Sequence, residues 1–73
     1  MTTRERAMRT YAIYAMARDR AELSDFKVSQ MTGCRAPMLC DWKYGRYTPK
    51  HDKLVKIANL LGIPVSAFDE VDA

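Results

Sequence analysis

Between Ser24 and Gly45 the stretch SDFKVSQMTGCRAPMLCDWKYG reads as two short helices joined at Gly33, and this constrains the rest of the chain. Ser24 is a favourable N-cap, and Asp25 complements the dipole of the first turn of a helix over 25–32. Gly33 supplies the left-handed residue that ends it. Pro37 is tolerated only in a first turn, so the next helix starts at Arg35 or Ala36 and runs to Tyr44, where Gly45 stops it. Helices shorter than about 12–15 residues are marginal alone in water. The flanking chain must therefore hold these two in place.

Helical periodicity divides the second of them into two faces. Leu39 and Trp42 share one side, with Trp42 read as core. Pro37, Cys40, Asp41 and Tyr44 point the other way, with Ala36 and Lys43 flanking on one side and Met38 on the other. In the first short helix Val28 points inward, and Ser29 is small enough for another helix to approach.

The flanks supply three more helices. Thr3 to about Arg18 lacks Gly and Pro, with Thr2 or Thr3 as cap. Its apolar residues (Ala7, Met8, Tyr11, Ile13, Tyr14, Ala17) wrap most of its circumference, which implies packing on more than one side. Thr48-Pro49 reads as a cap and a helix-opening proline for a helix over about 50–61, with Leu54, Ile57, Ala58 and Leu61 as its core stripe. After Gly62, Pro64 opens a short fifth segment from which Val65 and Phe68 pack back. The acidic end, 69–73, is expected to fray. No strand-like alternation occurs, so the expected class is all-α: one domain over 1–73 with five helices.

Charge is unevenly placed. Residues 27–56 carry Lys27, Arg35, Lys43, Arg46, Lys50, Lys53 and Lys56 against Asp41 and Asp52. Residues 57–73 carry only acids, and the whole chain has net charge +3. Basic residues focused on and after the central stretch are a footprint for a polyanion, or simply a solvated lysine surface. Cys34 and Cys40 make no disulfide framework: Cys34 is read as a small buried apolar group and Cys40 as more open. With His51 as the sole histidine, ligands for zinc are lacking, and no cofactor or small-molecule ligand is expected. No nucleophile–base pair or phosphate loop is evident, so an enzyme is not expected. No apolar run approaches the roughly 20 residues of a membrane span, and the Tyr-rich N-terminal segment is not read as a leader, which leaves the cytoplasm as the expected location.

Leu23-Ser24, Val28-Ser29, Gly33, Leu39, Trp42, Gly45, Pro49, Leu54, Ile57-Ala58, Leu61-Gly62-Ile63 and Phe68 fall in one spacing pattern. Over about residues 14–68 it resembles the phage-repressor, Cro-like (XRE-type) helix-turn-helix family. The resemblance implies a five-helix lambda-repressor-like DNA-binding domain with its helix-turn-helix at helices 2 and 3. It implies that the third helix, about 36–44, lies in the major groove of double-stranded DNA while the second crosses the backbone. The groove-facing positions it implies are Ala36, Pro37, Asp41, Cys40 and Tyr44. The phosphate contacts it implies are Lys27, Gln30, Arg35, Lys43 and Arg46, with Tyr47 and Lys50 beside them. The function it implies is transcriptional regulation, as a repressor, by a homodimer that uses the loop between the third and fourth helices and the fifth helix, with the apolar-wrapped first helix as a second candidate surface.

The chain departs from that pattern in three places. Arg35 stands where the family has a capping Ser or Thr, and it accepts no backbone N–H bond. Ala36-Pro37 can touch a thymine methyl but offers no bidentate base contact. Arg18 lacks its usual acidic partner near the end of the third helix, since Lys43 occupies that position, so this ion pair is not expected. These departures favour phosphate contacts and shape readout over base readout. They also give an alternative: a helix-turn-helix module that binds a protein, in the manner of an antitoxin or anti-repressor. Tyr44 and Tyr47 either bond a phosphate or cover the loop at Gly45.

Overall fold

Thr2 closes the first turn of the first helix. Its side-chain oxygen accepts from the Glu5 backbone N–H at 3.1 Å, and its hydroxyl donates to the Glu5 carboxylate at 3.2 Å. The computed structural model describes residues 2–69. They form α1 (Thr3–Arg20), α2 (Asp25–Thr32), α3 (Ala36–Lys43), α4 (His51–Leu61) and α5 (Ser66–Asp69), with no strand among the described residues. The class is therefore all-α. No helix is long and apolar enough to cross a membrane. Residues 70–73 of the acidic end lie outside the described residues.

The caps explain where the short helices begin and end. Ser24 Oγ accepts from the Lys27 backbone N–H at 3.1 Å, as an N-cap should. Gly33 ends α2 in the left-handed region, with φ +76° and its N–H on the Ser29 carbonyl. Gly62 ends α4 in the same way, with φ +71°.

Trp42 is the hub of the core. Its indole is fully buried, stacked on Tyr14 at 4.9 Å, edge-on to Tyr11 at 5.5 Å and tilted against Phe68 at 6.1 Å between ring centroids. Helices α1, α3 and α5 thus meet on one side chain. The indole N–H would be costly to bury without a partner. Thr10 provides one: its Oγ1 accepts from Trp42 Nε1 at 2.8 Å. The Thr10 hydroxyl in turn faces the carbonyls of Arg6 at 2.8 Å and Ala7 at 3.0 Å, the back-bonding that lets a threonine sit within a helix. Val28, Cys34, Leu39, Leu54, Ile57 and Ala58 complete the buried cluster, and Leu61 and Val65 pack at its margin.

The structure corrects several expectations. Helix α1 continues to Arg20 rather than Arg18, since nothing in the sequence breaks it. Thr48 does not cap α4. The N-cap is Lys50, with no side-chain bond, and Thr48 Oγ1 is buried without a hydrogen-bond partner among the described residues. Pro49 is buried ahead of the helix instead of opening it. Pro64 likewise precedes α5, which starts at Ser66. The wrapping of α1 resolves into a buried stripe of Ala7, Thr10, Tyr14 and Ala17 with Tyr11 and Ile13 packed at the core margin as expected, while Met8 and Met16 stay exposed.

One glycine does more than end a helix. Gly45 is buried at φ +77°, and a Cβ there would lie 2.7 Å from Arg4 Cγ, 3.3 Å from Met8 Cγ and 3.4 Å from the Arg4 carbonyl. The first turns of α1 therefore rest on the turn that follows α3. At Gly33 and Gly62 a Cβ would meet nothing within 4 Å. Gly33→Ala and Gly62→Ala should each cost about 1 kcal/mol, from left-handed backbone alone. Gly45→Ala should cost about 2 kcal/mol or more, because steric overlap with α1 is added. Urea midpoints of the three variants check this, and equal costs would show that α1 is not seated there.

Candidate nucleic-acid interface

The turn between α2 and α3 is stapled by its own side chains. Ser29 Oγ donates to the Cys34 carbonyl, and Thr32 Oγ1 donates to the Val28 carbonyl at 2.7 Å. Thr32 Oγ1 also accepts from the Cys34 N–H at 3.2 Å. Ser29 thus holds the turn as well as being small. Cys34 is buried and Cys40 exposed, as the sequence suggested.

Helix α3 is anchored by Leu39 and Trp42, both buried, and half-buried Met38 packs against the same core. Ala36, Pro37, Cys40, Lys43 and Tyr44 are exposed, and Asp41 is half-exposed. The outward face read from the sequence is therefore solvent-facing. Arg35 makes no side-chain cap bond. Two features limit the cost of that missing cap. Pro37 has no N–H to satisfy, and the Met38 N–H turns back to the Arg35 carbonyl at 3.0 Å.

Cations bracket this face. Lys27 and Gln30 on α2 and Arg35 in the turn are all exposed. At the far end of α3, Lys43 Nζ lies 5.7 Å and Arg46 Cζ 5.4 Å from the centroid of the Tyr44 ring, which is 54% exposed. Arg46 also reaches Asp41 at 3.5 Å, through side chains 68% and 48% exposed. Such an exposed pair contributes little to stability. Its effect is to place Asp41 beside a cation of its own chain. Tyr44 is thus part of a cation–aromatic cluster, a grouping that sequence reasoning did not find because it depends on the turn at Gly45. Tyr47 is half-buried and Lys50 exposed in the following loop.

Helix α2 is fixed to α1 by charge. Asp25, its first residue, accepts from Tyr14 Oη at 2.6 Å, Arg18 Nη1 at 2.6 Å and Tyr11 Oη at 3.0 Å. Arg18 also contacts Asp19 at 3.0 Å and donates to Tyr11 Oη at 3.2 Å. The absence of an acid at Lys43 therefore does not leave Arg18 unpaired: it pairs with α2 instead. The signal was the carboxylate at Asp25, read in the sequence only as a dipole partner. Burial pushes the Asp25 carboxyl up, but hydrogen bonds from Tyr14, Arg18 and Tyr11 outweigh it and leave the group below its usual value. Burial, reinforced by the Asp25 carboxylate, holds the Tyr14 phenol well above its usual value. Burial disfavours the Arg18 charge, yet bonds to Asp25, Asp19 and Tyr11 prevail and strengthen it.

A carboxylate lowered on folding stabilises the fold above its unfolded value of about 3.9, and that stability is lost as pH falls through the folded value. Asp25→Asn should lower stability at pH 7 by about 2 kcal/mol, the scale of hydrogen bonds to a charged acceptor, reduced by exposure of the group. It should also flatten the loss of stability below about pH 4. Urea unfolding from pH 3 to 7 checks both, and an unchanged acid branch would refute the assignment.

No family model matches the chain, and comparisons with curated proteins and with solved structures return no significant match.

Proposed function

We propose that this chain is a double-stranded DNA-binding transcriptional regulator, a repressor with a lambda-repressor-like fold whose α2 and α3 form the helix-turn-helix. The observation that carries this reading is the two-sidedness of α3. Leu39 and Trp42 lock one side into the core, and the other is uncovered, with Arg35 before its first turn, Lys43 and Arg46 at its far end, and Lys27 exposed on the preceding helix. In the groove, Ala36 and Pro37 offer apolar contact to a thymine methyl, Cys40 is a small neighbour, and the flanking cations and Gln30 bind phosphates. Asp41 lies 3.5 Å from Arg46, so its carboxylate faces a cation of its own chain. Sequence preference then comes mainly from groove shape and deformability.

A homodimer suits the dimensions. One molecule measures 30 × 24 × 21 Å, so two side by side reach half-sites one helical turn, about 34 Å, apart. Occupying such a site blocks polymerase. The test is titration of the full chain with duplex DNA at rising salt, with saturable, salt-sensitive binding expected. Absence of binding to any duplex at low salt overturns the reading.

A second reading is a protein-binding module with the same fold. It is favoured by Phe26 and Met31, which leave α2 with large apolar side chains 67% and 55% exposed. Size-exclusion chromatography with light scattering, with and without duplex, separates the two readings: complex formation with DNA favours the first.

A further inference from the structure

We propose that Arg4, at the start of α1, is a phosphodiester-binding residue of the same surface; the inference rests on the DNA-binding reading above. Arg4 precedes Gly45 by about forty residues in the sequence, and only the fold brings the two together. Its Cγ lies where a side chain at Gly45 would otherwise be. Gly45 sits between Tyr44 and Arg46, and successive Cα atoms are about 3.8 Å apart. The stem of Arg4 therefore packs on the residue that follows Tyr44, whose ring is faced by both Lys43 and Arg46. Arg4 is an exposed residue.

One further point favours an anionic ligand. Gly45, on which the Arg4 stem packs, lies with Lys43 and Arg46 at the C-terminal end of α3, while Arg35 lies at its N-terminal end. An eight-residue helix is about 12 Å long. Cations at both ends bind the phosphates that flank a helix lying in a groove, and Tyr44 adds a hydroxyl to that end. Gly45 is then required at this position for a binding reason: it opens the space through which α1 delivers the arginine.

The experiment uses the full chain and a duplex of random sequence. Arg4→Met keeps the apolar stem and removes the charge, and Arg4→Lys restores the charge. Arg20→Met removes one charge at the other end of α1, about 24 Å away. For each bound chain, Arg4→Met is expected to weaken binding about fivefold to tenfold at 50 mM salt and to reduce the log–log salt slope by about 0.9. Arg4→Lys should recover most of the affinity, and Arg20→Met should change it less than about twofold. Arg4→Gln, with a shorter neutral stem, must show the same loss as Arg4→Met. A loss that instead follows thermal stability across these two variants overturns the proposal. So does Arg4→Met binding as the parent does, or Arg20→Met matching it. If the parent chain binds no duplex, the regulator reading fails along with this one. If the parent binds and Arg4→Met is unchanged, only the assignment of Arg4 falls.

Discussion

Trp42→Ala is expected to remove about half of the stability of the chain. Truncating a buried tryptophan costs about 3–5 kcal/mol. At roughly 0.05–0.15 kcal/mol per residue, a chain of 73 residues has about 4–11 kcal/mol in total. Three aromatic partners lose their contact at once, one each from Tyr11, Tyr14 and Phe68. Since α5 and α1 are joined to α3 through this ring, the loss falls on the elements that hold α3 rather than on one helix alone. Trp42→Phe should cost much less. It keeps a ring and gives up the bond to Thr10, whose hydroxyl still donates to a backbone carbonyl. Thermal unfolding followed by circular dichroism checks both variants. A Trp42→Ala chain that melts within a few degrees of the parent would show that the indole is not the hub.

Duplex affinity is expected to fall steeply with salt, by an amount that also counts subunits. Each neutralised phosphate contributes a log–log slope of about −0.9. Lys27, Arg35, Lys43 and Arg46 give four candidate contacts per chain. Raising salt from 50 to 200 mM should then weaken a bound monomer about 10²-fold and a bound dimer about 10⁴-fold. The single tryptophan is buried, so its fluorescence verifies that the chain stays folded over the same range. A flat response would leave the basic residues as an ordinary solvated surface. A slope near the monomer value would remove the homodimer from the proposal while retaining DNA.

Short-range chemistry was legible in the sequence because each signal has a local cause. Ser24 and Gly33 bound α2 through a side-chain cap and a left-handed turn, both set within a few residues. The inward side of α3 followed from the spacing of Leu39 and Trp42. The missing cap at Arg35 was equally readable. Thr48-Pro49 misled because a cap-like pair predicts a helix start only if the hydroxyl reaches the first-turn amides. Here the oxygen is buried in the loop, and the helix begins beyond it.

Contacts between distant residues were not legible. Nothing near Thr10 in the chain announces that it will accept from Trp42, 32 residues away. Asp25 could be read as a dipole partner, but its bonds to Tyr11, Tyr14 and Arg18 depend on α1 lying across the start of α2. The outward face of α3 could be named residue by residue, yet the pairing of Asp41 with Arg46 and the clustering of cations on Tyr44 arise from the turn at Gly45.

The helical class, the bounds of α2 and the buried side of α3 were thus readable from local signals, because periodicity and capping act over a few residues, although α3 ends at Lys43 and not at the expected Tyr44. What each polar side chain is paired with, and what lies beside the α3 surface, emerge only when the helices pack. Those depend on how α1 crosses the other helices, and so on a glycine whose absent side chain lets Arg4 lie against it.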